Sequence, residues 1–314
     1  MSQKAHTLIR LWLAMVMFAL AGAGLDAATE DVTKKSFSVS SGGELVIATD
    51  IGSIEVNTHD RDIVLVEVIR RAPEKSDLDK VKLDVEKHGN SVMIRGTDLR
   101  RGGFLSFLTR IKLRVRFIVT VPETFNLDLR TAGGSIRVGH ITGEIVAKTS
   151  GGSLSFGNVR GNIMGRTSGG SIGVGDCSGD VDVDTSGGSI TIGTVAGNVE
   201  AHTSGGSINV KSVNGTIDAT TAGGSITAAL AKQPKHDCVL KTNGGSVRVY
   251  LVEDIDMDVD ARTFGGQVRS AFDIHSAERG GVIRKVLEGK INDGGPMLVL
   301  RSSGGSIYIK KKDW

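Results

Sequence analysis

Between Thr131 and Thr221 the chain writes Thr-(Ser/Ala)-Gly-Gly-Ser-(Ile/Leu) at Thr131, Thr149, Thr167, Thr185, Thr203 and Thr221, a constant step of 18 residues. Looser copies begin at Thr242, Thr263 and Ser302, and an isolated forerunner, Thr49-Asp-Ile-Gly-Ser-Ile, stands far upstream. A strict short period makes each unit one coil of a solenoid, because so small a unit buries its apolar face only by stacking on its neighbours. The same regularity argues against an ordinary enzyme, since it sets similar chemistry on every coil.

Counting from each Thr as zero, Gly fills positions 2 and 3, Ser fills position 4, and Gly returns at position 12 in most coils. Position 5 is Ile136, Leu154, Ile172, Ile190, Ile208 and Ile226, position 14 is Ile145, Ile163, Val181, Val199 and Ile217, and position 16 is mostly Ala. Apolar residues two apart, bounded by Gly, are the signature of short strands. The expected fold is therefore all-β: a parallel β-solenoid with two short strands per coil, near positions 4–8 and 13–17. Two parallel sheets then face each other across β-branched side chains. The crossover rule predicts a right-handed coil. Nine rungs spaced about 4.8 Å make a rod of roughly 40 Å. Gly at the corners implies positive φ or close approach to the next coil. The Thr and Ser columns are expected to form hydroxyl ladders that satisfy one another from rung to rung.

Glycine supplies 43 of 314 residues and proline 4, so the Gly marks recurrent tight turns and not a disordered linker. With 38 basic against 35 acidic residues, the balance gives no argument for a nucleic-acid partner. Cys177 falls at position 10 and Cys238, counted back from Thr242, at position 14. Both columns are otherwise aliphatic and lie several rungs apart, so two free, buried thiols are expected.

Residues 1–28 read as a secretory signal: Lys4, His6 and Arg10, the apolar run Leu11–Leu20, then Ala21-Gly-Ala23 or Asp26-Ala-Ala28 as the cleavage zone. An uncleaved anchor is the alternative, although the run is short for a span of roughly 20 residues. Export to the periplasm or the bacterial cell surface follows. Residues 29–126 read as an N-terminal β region of wider coils or a cap, and 127–314 as the repeat solenoid with an insertion at about 270–296. The stretch Ser276–Gly289 has room for a short helix in its middle. Caps are needed because a last rung is otherwise a bare sheet edge.

The order of parts resembles the bacterial family of exported candidate adhesins known as DUF4097, also described as β-strand repeat proteins. The resemblance rests on Gly52-Ser-Ile-Glu-Val56, Val119-Thr-Val-Pro122, the Ser-Gly-Gly-Ser-Ile array, and Asn292-Asp-Gly-Gly-Pro296 followed by Arg301-Ser-Ser-Gly-Gly-Ser-Ile307. It implies a parallel β-solenoid at the cell envelope without defined catalytic residues.

Neither zinc spacings nor a dinucleotide fingerprint is present, and the Gly pairs lack the Asp that calcium-binding β-rolls require, so no cofactor or metal is expected. Two charge clusters remain. Asp180, Asp182 and Asp184 alternate along one strand, and Glu200 and Asp218 continue the column of Asp182. Stacked carboxylates can hold a cation or flank a glycosidic bond. Lys148, Arg166 and His202 share the column of Asp184, which fits an ordinary solvated face. The second cluster sets Phe104, Leu105, Phe107 and Leu108 beside Arg100, Arg101 and Arg110, with Lys112, Arg114 and Arg116 following. An apolar tip with a basic rim can touch an anionic membrane, or it can fold back over a solenoid end. The resulting expectation is a non-catalytic envelope scaffold or adhesin that engages a glycan, an envelope component or a protein. A polysaccharide-acting β-helix enzyme using the Asp180–Asp184 face, and a subunit that self-associates end to end, are the alternatives.

Overall fold

The computed structural model describes residues 29–99, 113–274 and 285–312. Two long sheets of 13 strands each face one another. Every 18-residue coil gives one strand to each sheet, as the alternation of apolar residues dictates. Sheet 1 receives Ile136–Val138, Leu154–Phe156, Ile172–Val174, Ile190–Val195, Ile208–Val213 and Ile226–Leu230. Sheet 2 receives Ile145–Thr149, Ile163–Thr167, Val181–Thr185, Val199–Thr203 and Ile217–Thr221. Neighbours are parallel and in register, Ile145 beside Ile163, Val181, Val199 and Ile217 in turn. A third, shorter ladder forms at position 10, where Ile141–Thr142 pairs with Val159–Arg160 and bridges join Val159, Cys177 and Val195.

The core lies between the sheets. Each position-5 residue from Ile136 to Ile226 is at most 1% exposed, so the column is continuous. Both cysteines are buried in the core, in other columns, as free thiols. Burial pushes the Cys238 thiol up to about 11 and raises that of Cys177.

The hydroxyl columns run differently from the expectation. The position-zero hydroxyls do not bond one another. Thr149 Oγ1 donates to the Gly134 carbonyl of the preceding coil at 2.8 Å, and Thr167, Thr185, Thr203 and Thr221 do the same to Gly152, Gly170, Gly188 and Gly206 at 2.7–2.8 Å. Each hydroxyl also accepts the Gly N–H three residues on, as Gly170 N does to Thr167 Oγ1 at 3.4 Å. The position-4 serines accept backbone N–H groups: Ser171 N donates to Ser153 Oγ, and Ser189 N to Ser171 Oγ. The partner is backbone because a corner leaves carbonyl and amide groups outside the strand ladders, and a buried unpaired group there is costly.

The corner glycines act mainly by close approach. A Cβ on Gly170 would lie 2.2 Å from the Gly152 carbonyl oxygen. At position 12, Gly143 and Gly161 combine the same close approach with φ of 147° and 151°.

Both ends depart from chain order. The forerunner coil, Gly43–Thr49 and Ser53–His59, stacks directly on Phe125–Thr131 and Ile136–Val138. Thr131 Oγ1 accordingly bonds the Gly52 carbonyl, 79 residues away, at 2.8 Å. The next coil outward is Ser91–Asp98 and Arg114–Pro122. Antiparallel strands close this end: Ile63–Ala72 and then Thr29–Ser38 on sheet 1, and Val81–His88 on sheet 2. A single helical turn, Lys75–Leu78, joins the two caps. Parallel coils followed by antiparallel edge strands thus make up this end. At the other end the Ser302 coil, Met297–Ser302 and Ile307–Lys311, is inserted between the Thr242 coil and the Thr263 coil. Chain order alone would have put Ser302 outermost. Instead Val286–Ile291 turns back antiparallel on Met257–Thr263 and closes that edge of sheet 2. Most of the stretch Ser276–Gly289, expected to hold a short helix in its middle, lies outside the described residues, and its last part belongs to this strand. Residues 1–28 likewise lie outside them.

Two outcomes follow for stability and reactivity. Gly170→Ala is expected to cost about 3 kcal/mol or more in urea denaturation, because the clash is with backbone. Gly173→Ala, where an added Cβ meets nothing within 4 Å, should be neutral or stabilise by about 0.5 kcal/mol. With both thiols buried and their ionisation pushed upward, the native protein should leave Ellman's reagent nearly unreacted at pH 7.5, and two thiols should titrate after denaturation.

Candidate functional site

The outward positions of sheet 2 form two parallel columns, because strand alternation turns positions 15 and 17 to the same face. Register places Asp182, Glu200 and Asp218 side by side on three consecutive strands. Asp184 and His202 are neighbours in the second column, with Arg166 before them. The carboxylates expected to share a face thus do so, with one correction.

Asp180 does not belong to the face. It sits in the corner before Val181–Thr185, where its Oδ1 accepts from the Asn198 backbone N–H at 2.7 Å and from Asn198 Nδ2 at 3.2 Å. Its own N–H donates to Asn162 Oδ1 at 2.8 Å. This position carries an Asn/Asp ladder that satisfies corner backbone. The alternation of Asp at 180, 182 and 184 hid that change of role, because one residue separates corner from strand.

Asp184 apart, the remaining carboxylates are engaged by their neighbours. Arg166 reaches across one strand to Asp182 Oδ2 at 2.6 Å, and that hydrogen bond raises the Arg166 pKa further. Glu200 meets His202 Nε2 at 3.1 Å, and Asp218 accepts from Thr220 Oγ1 at 3.4 Å. Asp128, which continues the column toward the N-terminal end, holds Arg130 by two bonds of 2.7 and 2.9 Å. Toward the other end Asp260 is bound by Arg301 and Arg262. Burial opposes ionisation of Asp260, and the two guanidiniums outweigh it and lower its pKa. The face is a zigzag of ion pairs and hydrogen bonds on a flat surface. Among the described residues no group of three or more His, Cys, Asp or Glu side chains could hold a metal ion.

Of the basic cluster, Arg114 and Arg116 are described, and Arg100, Arg101, Phe104, Leu105, Phe107, Leu108, Arg110 and Lys112 lie outside the described residues. Arg114 and Arg116 point outward from their strand while Val115 and Phe117 are buried, as the alternation implies. Arg116 pairs with Glu55 at 3.2 Å on the neighbouring strand. No described helix is long and apolar enough to cross a membrane.

Two features escaped the sequence reading. The chain's only two tyrosines, Tyr250 and Tyr308, come together on the outer face of sheet 1. Arg248 lies 5.4 Å from the Tyr308 ring centre and Lys310 lies 5.7 Å from that of Tyr250. Arg248 and Tyr308 share position 6 of their coils, so the offsets carried the signal, but chain order placed another coil between them. The second is a groove beside the position-17 column, of about 620 Å3, lined by Arg95, Arg130, Lys148 and Arg166. Lys148 and Arg166 were visible as a column in the repeat. Arg130 needed the column to be extended one coil upstream, and Arg95 joins only through the out-of-order stacking.

The Toastrack DUF4097 family model matches residues 43–310. Among solved structures, a candidate adhesin from Bacteroides fragilis NCTC 9343 is 14% identical over 90% of this chain and 97% of that one, with a TM-score of 0.38. A candidate lipid-binding protein from Parabacteroides distasonis ATCC 8503 is 13% identical over 90% of this chain and 97% of that one, with a TM-score of 0.42. A candidate cell adhesion protein from Clostridium sporogenes ATCC 15579 is 14% identical over 91% of this chain and all of that one, with a TM-score of 0.23. No curated protein sequence matches the chain.

The zigzag sets a magnitude that can be measured. With the Arg166 and Asp182 side chains 37% and 31% exposed, a double-mutant cycle of Arg166→Met and Asp182→Asn should give a coupling of about 0.5–1 kcal/mol. The coupling should shrink in 1 M salt.

Proposed function

The chain belongs to the Toastrack DUF4097 family, and from that premise we propose that it is an exported, non-catalytic β-solenoid of the cell envelope. It serves as an adhesion or scaffold module whose outward columns engage a glycan, an envelope component or a partner protein. The observation that carries this reading is the outer face of sheet 2. Its columns repeat in constant register from strand to strand, and its central carboxylates are held by neighbouring side chains.

Glycoside hydrolysis needs one carboxyl group that donates a proton and a second that is free to attack or to activate water. Asp182 is tied to Arg166 and Asp180 to the corner backbone, so neither is disposed for those roles. The groove on this face is open to solvent and gives no enclosure to exclude water from a reacting bond. A rigid array of outward side chains suits multivalent contact, where repeated weak engagements add through effective concentration.

The test pairs turnover with binding. Incubated with acidic and neutral polysaccharides, the purified protein should release no new reducing ends, and it should co-sediment with envelope fragments of its own source. Asp182→Asn should change neither result. Reducing-end release that Asp182→Asn abolishes would instead establish the polysaccharide-acting enzyme.

A further inference from the structure

Parallel stacking places Arg130, Lys148 and Arg166 directly opposite one another on three consecutive strands of sheet 2. Ala48 occupies the next strand, and Arg95 the one beyond it. Like charges held directly opposite across strands are destabilising, so such a run needs an explanation. Two members are answered within the fold: Arg130 by Asp128 and Arg166 by Asp182. Lys148 is not. Its neighbour two residues back on the same strand is Val146, where Asp128 stands for Arg130, and Lys148 makes no hydrogen bond or ion pair among the described residues. Arg95 likewise makes none, and Asp84 opposite it on the edge strand is paired with Lys82 at 3.1 Å.

These cations line the groove of about 620 Å3 that runs across the coils. Its other wall is the corner, which contributes Thr97, Ser150, Ser168 and Ser186, all exposed. Three of the six rungs therefore offer the groove one cation and one exposed hydroxyl, with rungs spaced about 4.8 Å apart. Of its two carboxylates, Asp184 stands at one end and Asp50 follows Ala48 and Thr49, between the strands of Arg95 and Arg130. The groove carries four cations against two carboxylates and is open to solvent.

We propose that this groove binds a linear anionic polysaccharide, one acidic group per sugar, lying along the solenoid axis with its charges on Arg95, Arg130, Lys148 and Arg166. The inference rests on the adhesion reading and names the ligand class of that same face. Two other polyanions fit less well. A flat anionic membrane would meet Asp128 and Asp182 in the adjacent column together with the cations, whereas a thin chain in the groove meets the cations first. Single-stranded nucleic acid is held by stacking on aromatic rings, and no aromatic residue lines the groove.

The experiment is affinity electrophoresis of the purified protein in gels containing polygalacturonate, with dextran as the neutral control and phosphatidylglycerol vesicles as the membrane arm. Retardation by polygalacturonate and not by dextran is expected, with log affinity falling against log salt at a slope of about −3, as for roughly four neutralised charges. Lys148→Glu should weaken binding at least tenfold and leave the thermal midpoint unchanged or raised, because it relieves the like-charge run. Lys211→Glu, on the outer face of sheet 1, should bind as the parent does. Should Lys148→Glu lower the midpoint, Lys148→Gln carries the same comparison without a reversed charge. The proposal is overturned by no retardation at 50 mM salt, by equal binding of the Lys148 variants, or by vesicle binding in place of polygalacturonate binding. A parent protein that co-sediments with the envelope but is not retarded by polygalacturonate would sink the groove and leave the adhesion reading standing.

Discussion

A threonine hydroxyl suspended between two glycines of successive coils is the contact on which the molecule depends. It donates to a glycine carbonyl of the coil before and accepts a glycine N–H of its own coil. That bridge works only if the corner backbones approach so closely that no side chain fits between them. The Gly-Gly pair and the Thr are therefore one device. Together they satisfy backbone groups that the sheets cannot reach, and they hold the coils in a register from which every other column follows. The Asn/Asp ladder at the opposite corner repeats the solution with side-chain oxygens.

The same bridge explains how remote segments join the stack. Thr131 Oγ1 bonds Gly52 of the remote forerunner coil, and Ser302 and Thr263, also far from their spatial neighbours in sequence, occupy the position-zero column and are buried there. Thr263 Oγ1 donates to Gly305, and Ser302 Oγ to Gly245, just as the regular coils prescribe. Coils can be added out of order because the contact is specified by the motif and not by chain continuity. Closure is left to antiparallel strands that cannot propagate the pattern. The outermost strand on sheet 1, Thr29–Ser38, exposes Lys34 and Lys35 at its edge, and Val81–His88 on sheet 2 is strongly charged, as edges that avoid further pairing tend to be.

On the outer faces, constant register converts a linear sequence into columns, and columns decide the electrostatics. Asp182, Glu200 and Asp218 could be assigned to one column from spacing alone, because all three lie within the uninterrupted repeat. Asp180 could not be read correctly. Its neighbours suggested strand alternation, whereas the chain enters the strand only at Val181. Arg95 and the tyrosine pair were out of reach for another reason: their columns cross the ends, where stacking order and chain order part. The edge strand Thr29–Ser38 was missed as well, since a mostly polar, half-exposed strand carries little period-two signal.

What the sequence by itself determined is the coil: its length, its two strands, the aliphatic columns that absorb both cysteines, and the corners where only Gly fits. These follow from contacts between identical positions one period apart, so the period contains them. What only the tertiary structure decided is the order in which non-identical coils stack, the partner of each corner hydroxyl, and the alignment of Arg95 with Arg130, Lys148 and Arg166 along one groove. Those depend on pairings between segments up to 82 residues apart, Thr49 beside Thr131 among them, and no local period encodes such a choice.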